Sequence, residues 1–257
     1  MNLLKCKQNG YMIPIWIENR ISYFLIDTGA QKSIITLRLV KKLKLRIRNS
    51  SIVIKGASGK ASNIKGICKV NIKIQEYVIE NIEMIVVKSS IFGRNSICEG
   101  IIGTDILFKF DFRYSLKDKR MDFISLSNTN TNMEEIIPIF TVDRDIVFYA
   151  IIDTGAKESW LTEDSKLCID MKYKRKFLIV KSINGISIKR SRVYNLISLI
   201  IRESYSVELN NIYVGRSVVR NNKIIDIVLG LDFMEKFILI KKDGRLILER
   251  YIKKDVY

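Results

Sequence analysis

The sequence predicts an all-β fold with a few short helices, built from two similar halves. Three observations predict it. The apolar runs are short, rich in isoleucine and valine, and often alternate with polar residues, which is the pattern of strands. One phrase occurs twice, as Tyr23-Phe-Leu-Ile-Asp27-Thr28-Gly29-Ala30 and as Tyr149-Ala-Ile-Ile-Asp153-Thr154-Gly155-Ala156. The glycines downstream keep the same spacing after each copy: Gly59 lies 32 residues after Asp27 and Gly185 lies 32 after Asp153, while Gly103 and Gly230 follow at 76 and 77. Landmarks held in register over that length are the mark of an internal repeat.

In each copy an apolar, β-branched run ends in a carboxylate, a hydroxyl, a glycine and a small residue. The run reads as a buried strand and the glycine as the point where the backbone turns sharply. Each half therefore places one aspartate at the end of a buried strand, on a tight loop.

The elements follow in order. Residues 2–7 and 11–17 read as strands around the turn signal Asn9-Gly10, and Glu18-Asn19-Arg20 turns the chain into the strand that carries Asp27. Apolar residues at 35, 39, 40 and 43 predict a short amphipathic helix over Ser33–Leu43. Strands at 52–55 and 64–74 flank a flexible tip containing Ala57, Ser58 and Gly59, and 78–87 is a further strand. Ile102 and Gly103 lead into a short helix at 106–110, with Asp105 as its expected N-cap, and 111–124 closes the half as a hairpin. The polar run Ser127–Asn132 reads as a linker, dividing the chain into halves 1–126 and 134–257 around residues 127–133. The second half repeats the order: strands at 136–142 and 146–152, a hairpin with its tip at Asn184-Gly185, a strand over 224–229 into Leu229-Gly230, a helix at 233–237 with Asp232 as its expected N-cap, and a closing hairpin that ends near Ile252. The terminal strands, 2–7 and 247–252, are expected to pair with each other.

Composition excludes several function classes. There is no histidine among the 257 residues, which removes serine–histidine and cysteine–histidine catalysis and the usual histidine metal sites. Cys6, Cys68, Cys98 and Cys168 are widely spaced without a paired motif and read as buried free thiols in a reducing compartment. No apolar run reaches membrane-spanning length and the N-terminus has no signal-peptide core, so a cytoplasmic location is expected. The formal net charge is +17, yet the cations are scattered and no interleaved aromatic platform accompanies them. The charge reads as a solvated surface rather than a nucleic-acid face.

The set Leu25-Ile26-Asp27-Thr28-Gly29-Ala30 with Ile101-Ile102-Gly103, and again Ile151-Ile152-Asp153-Thr154-Gly155-Ala156 with Val228-Leu229-Gly230, resembles the retropepsin-like aspartic proteases. The resemblance implies a bilobal, pseudo-two-fold fold made of two fused retropepsin-like halves. It implies catalytic roles for Asp27 and Asp153, support of the site by Thr28, Gly29, Ala30, Thr154, Gly155 and Ala156, and flaps at Ala57, Ser58, Gly59, Asn184 and Gly185. It also implies a chain passing beneath each loop at Ile102, Gly103, Leu229 and Gly230. Trp160 is similar to a tryptophan that pepsins carry at the same offset from their first aspartate, whereas the pepsin flap tyrosine has no counterpart. The implied activity is peptide-bond hydrolysis of a polypeptide substrate by a single chain, with no cofactor or metal. Two readings stand beside it: a protease-fold binding module without turnover, and a basic protein associated with nucleic acid.

Overall fold

The computed structural model describes residues 1–6, 10–52, 54–55, 61–62, 64–93, 96–127, 136–141, 144–168, 172–182, 185–201 and 205–252. They fall into two compact units, Met1–Lys109 with Phe177–Arg190, and Phe110–Lys176 with Ser191–Tyr257. The described residues are mostly β-strand with a few short helices, as the alternation predicts, and none of these helices is long and apolar enough to cross a membrane.

The first sheet has seven strands in the order Leu4–Lys5, Tyr11–Ile17, Arg20–Ile26, Cys98–Ile102, Ile34–Thr36, Tyr77–Val87 and Ile64–Ile74. Tyr11–Ile17 also pairs with Ile64–Ile74, so the sheet closes on itself as a barrel and keeps few open edges. Strand Ile64–Ile74 shows why the sequence folds this way: Cys68, Val70, Ile72 and Ile74 point inward, while Lys69, Asn71 and Lys73 face out. Glu18 and Asn19, both at positive φ (42° and 66°), form the two-residue turn between Tyr11–Ile17 and Arg20–Ile26, the conformation a tight hairpin requires.

The second seven-stranded sheet has the order Ile136–Thr141, Arg144–Ile152, Ile227–Leu229, Trp160–Thr162, Tyr205–Gly215, Gly185–Ile201 and Tyr173–Ser182, and closes through Ile136–Thr141 against Gly185–Ile201. Six of its strands repeat the first sheet in the same order; Leu4–Lys5 of the first and Tyr173–Ser182 of the second are the strands left over. The Asp27 strand lies parallel to Cys98–Ile102, and the Asp153 strand lies parallel to Ile227–Leu229. Ile34–Thr36 runs parallel to Tyr77–Val87, as Trp160–Thr162 does to Tyr205–Gly215. A parallel neighbour on each Asp-bearing strand explains its unbroken apolar run, since such strands are covered on both faces.

A third sheet lies in the second unit, in the order Arg120–Leu126, Phe110–Ser115, Phe237–Lys242, Arg245–Arg250. The closing hairpins of the two halves pair here in antiparallel register, Phe112 with Lys241, Arg113 with Ile240, Tyr114 with Leu239. Arg113 is the tenth residue after Gly103 and Ile240 the tenth after Gly230, so equivalent positions face each other across a local two-fold axis. Lys241, 1% exposed, ends this pairing in a 3.0 Å ion pair with Asp111, whose second oxygen accepts from the Ser125 hydroxyl.

Two expectations are corrected. The terminal strands do not pair with each other: Leu4–Lys5 pairs with Tyr11–Ile17, and Arg245–Arg250 with Phe237–Lys242. Both are drawn into local hairpins, and the central pairing is made by the hairpins that close each half. The helix expected over Ser33–Leu43 is a strand, Ile34–Thr36, followed by a helix only at Leu37–Lys42. Ile34 and Ile35 pair between two strands of the barrel, and Thr36 then caps the helix by accepting from the Leu39 N–H. The linker Ser127–Asn132 lies, apart from Ser127, outside the described residues.

Candidate active site

Each Asp-bearing loop is built by the same bonds. The Asp27 N–H donates to the Ile102 carbonyl at 3.1 Å, and the Asp153 N–H donates to the Leu229 carbonyl at 2.9 Å, which ties each aspartate to its parallel neighbour strand. The loop then folds back on the side chain. The Ala30 N–H donates to Asp27 Oδ1 at 2.9 Å, and the Gly155 and Ala156 N–H groups donate to Asp153 Oδ1 at 2.9 and 3.0 Å. These donors fix the carboxylate rotamer. Both aspartates are partly exposed, while Thr28 and Thr154 beside them are buried.

Below each loop runs the glycine strand. A Cβ on Gly103 would stand 2.7 Å from the Ala30 carbonyl oxygen, and one on Gly230 would stand 2.7 Å from the Glu158 carbonyl carbon, so only glycine allows this passage. The next residues hold the loop: the Thr104 N–H donates to the Ala30 carbonyl at 2.8 Å, and the Leu231 N–H to the Ala156 carbonyl at 2.9 Å. Ile102 and Leu229 are buried at these crossings.

Asp105 and Asp232 are not the N-caps the sequence suggests. Gly103 and Gly230 occupy the cap positions of helices Thr104–Leu107 and Leu231–Met234 without a side-chain bond. The two aspartates reach back beneath the loop instead. The Ser33 hydroxyl donates to Asp105 Oδ1 at 2.6 Å and accepts from the Gly103 N–H at 2.9 Å; the Ser159 hydroxyl does the same with Asp232 Oδ1 (2.6 Å) and the Gly230 N–H (2.9 Å). The backbone N–H groups of Ser33 and Ser159 also donate to these carboxylates, at 2.9 and 2.8 Å to their Oδ1 atoms. Bonds to buried partners satisfy the carboxylate better than exposed cap N–H groups would. The sequence held the signal, because each phrase extends to Asp-Thr-Gly-Ala-x-x-Ser, ending at Ser33 and at Ser159.

The two sites differ beside this shared frame. Trp160 pairs in register with Tyr213 and their rings lie near-parallel, 6.4 Å between centroids and 12° between planes, where the first half has Ile34 against Ile85. Burial pushes the Tyr213 phenol well above its ordinary range, and the carboxylates of Glu158, Asp153 and Asp232 push it further. Asp226, also missed by the sequence reading, is buried and holds the second half together by accepting from the Tyr149 N–H at 2.9 Å and the Lys166 N–H at 3.1 Å. Of the flap residues, Ala57, Ser58, Gly59 and Asn184 lie outside the described residues, and Gly185 opens strand Gly185–Ile201.

Residues 13–109 match the family described as "gag-polyprotein putative aspartyl protease". The matched stretch covers less than half of the chain. It contains Asp27, the Ala30 turn and the Gly103 crossing, and it ends before the second phrase. Among solved structures, the chain is similar to the EIAV protease complexed with the inhibitor HBY-793, at 24% identity and a TM-score of 0.31 over 41% of this chain and 91% of that one. No curated protein matches the chain.

Proposed function

We propose that the chain is an aspartic endopeptidase in which Asp27 and Asp153 work as one pair on a single water molecule. The observation that carries this is that both aspartates sit in the same turn, on the same parallel strand pair, over the same glycine crossing and serine–aspartate support. A fold that spends two sets of buried polar bonds on holding two carboxylates in equivalent positions supports a role that needs both.

Two carboxylates within hydrogen-bond reach share one proton and titrate as a pair, a behaviour for which aspartic proteases are the standard worked case. The ionised member takes a proton from water as it attacks the scissile carbonyl, and the protonated member donates to the carbonyl oxygen. The tetrahedral hydrate collapses when a proton passes to the leaving amine. The chain's own N–H donors at Ala30, Gly155 and Ala156 hold the carboxylates in orientation throughout. The residue after each Asp-Thr-Gly is alanine, with no hydroxyl to lower the pair's titration further, which extends activity towards neutral pH. In this reading the two repeats, 1–126 and 134–257, are copies of one duplicated unit, the flaps close over an extended polypeptide, and one chain suffices. The buried thiols of Cys6, Cys68 and Cys98, none of them in a disulfide, suit the reducing environment of a cytoplasm.

Incubation with a peptide library, read by mass spectrometry beside the Asp27→Asn and Asp153→Asn variants, tests the proposal. Cleavage by the native chain and its loss in both variants is the expected result. Folded protein that cuts no peptide from acid to neutral pH favours a binding module instead and overturns it.

A further inference from the structure

We propose that Cys6 and Cys98 form a reversible disulfide, which latches the N-terminal strand onto the barrel of the first unit when glutathione is oxidised. Both residues lie in that unit, and the bond forms whether or not the chain cleaves peptides. They are 92 residues apart in the sequence, yet both belong to one apolar cluster with Met12, Leu25, Ile34 and Ile101. Cys6 is 4% exposed and Cys98 0%. The two thiols are hydrogen-bond partners, and Cys98 Sγ also donates to the Gly100 carbonyl at 3.2 Å. Two sulfurs already in contact need only a short approach to reach the S–S distance of about 2.05 Å. Cys68 is not part of this cluster.

The chain around each cysteine decides which reacts first. Cys6 follows Leu4–Lys5, a two-residue strand at the end of the sheet order. The Leu4–Met12 and Lys5–Tyr11 pairs hold it, with the Cys6 N–H donating to the Gly10 carbonyl at 2.7 Å. So short an edge opens more readily than the long strands of the barrel. Lys5 and Lys7 flank Cys6 in the sequence and favour the approach of glutathione, an anion. Cys98 instead opens strand Cys98–Ile102, which lies between the Asp27 strand and Ile34–Thr36. Its hydrogen bond with Cys6 and its burial hold its thiol far above the ordinary range, so it is the slower nucleophile.

When the edge strand opens, Cys6 loses its proton and attacks one sulfur of oxidised glutathione. A mixed disulfide forms, and one glutathione leaves as a thiolate that takes up a proton. Capping Cys6 removes the hydrogen bond that most raises the Cys98 thiol. As the strand returns, Cys98 loses its proton and attacks the Cys6 sulfur, and the second glutathione leaves in the same way. Two protein thiols are oxidised, one glutathione disulfide is reduced to two thiols, and the protons balance. The new bond closes a loop of 92 residues and fastens a strand that otherwise opens easily. The cluster it crosses also carries Ala30, whose N–H holds Asp27.

The test incubates the full-length chain in buffers of reduced or oxidised glutathione, digests it at low pH without reductant and reads the peptides by mass spectrometry. In the oxidised buffer a peptide pair linked through Cys6 and Cys98 is expected, and iodoacetamide in urea labels two fewer cysteines than in the reduced chain. The thermal midpoint rises by roughly 5–10 °C and amide exchange at residues 4–6 slows, both reversed by dithiothreitol. Cys6→Ala and Cys98→Ala each remove the link and the shift, whereas Cys68→Ala keeps both. Circular dichroism checks that each variant is folded, and the peptide map and labelling count of the native chain need no variant. The absence of a link, a glutathione adduct that stays on Cys6, or a link through Cys68 overturns the proposal. So does a Cys6–Cys98 link that leaves the midpoint and the exchange unchanged.

Discussion

Ser33 and Ser159 each join three groups that would otherwise be unconnected: the loop that carries the motif aspartate, the glycine strand beneath it, and a partly buried carboxylate on the following helix. Removing the hydroxyl leaves a buried N–H without its acceptor and takes a short bond from a half-buried carboxylate. Ser33→Ala or Ser159→Ala is therefore expected to lower stability by about 1–3 kcal/mol, read as a drop in urea midpoint at unchanged m-value, with a larger relative loss of peptide cleavage. An unchanged midpoint would mean the serine bonds carry no weight. A second residue makes a pH prediction. Burial pushes the Cys68 thiol up to about 11 from 9.0. Below the lower value both folded and unfolded states hold the proton and burial costs nothing in charge. Between the two, the unfolded state loses its proton first, so stability falls as pH rises through that window. At about pH 8, iodoacetamide should label Cys68 slowly in the folded chain and quickly in urea, as mass spectrometry would show.

At the scale of elements, the strand that passes beneath each loop depends on a missing side chain. A Cβ at Gly230 meets the Glu158 carbonyl carbon at 2.7 Å and the Ala156 carbonyl oxygen at 2.9 Å, and both are backbone, which cannot rotate aside. Gly230→Ala should cost at least about 2 kcal/mol and shift the Ala156 turn that orients Asp153, so thermal stability and turnover fall together. Gly103→Ala should do the same through Ala30. Full turnover in either variant would show that the loops tolerate displacement. The helices beyond the crossings are only four residues long and owe their stability to packing: Ile106 and Leu107 in one, Phe233 and Met234 in the other, are buried.

For the whole molecule, the four-stranded sheet joins the segments that close the two halves, with equivalent residues facing across the Arg113–Ile240 pair. Within it the buried Lys241 forms an ion pair with the partly buried Asp111. Taking away one charge leaves the other buried and unpaired, whereas replacing both with apolar residues does not. Lys241→Met alone should destabilise by about 3–5 kcal/mol, and adding Asp111→Leu should restore most of the loss. Additive losses in a double-mutant cycle would refute the pairing. Because one chain carries both phrases, cleavage per molecule should be independent of concentration and light scattering should report a monomer. Mixing Asp27→Asn with Asp153→Asn should restore nothing. Recovery on mixing would mean the site is shared between chains.

Much of this is legible in the sequence alone. Strand period, the doubled Asp-Thr-Gly-Ala phrase and the matched glycine offsets are local patterns, and local patterns fix which segments are strands and where they turn. They gave the all-β fold and singled out Asp27, Asp153, Gly103 and Gly230. The tertiary structure alone decided the long-range partners. Asp105 looks like a helix cap to a reader of its neighbours, but its acceptor oxygens serve Ser33, 72 residues earlier in the chain. Ile34–Thr36 looks helical by spacing, yet becomes a strand because two barrel strands wait on either side of it. The terminal strands looked free to pair with each other, but each folds onto its own neighbour, and the hairpins closing the two halves meet instead. A sequence states what each segment can pair with. Which pairing wins is decided by the packed alternatives, and those exist only once the chain has folded.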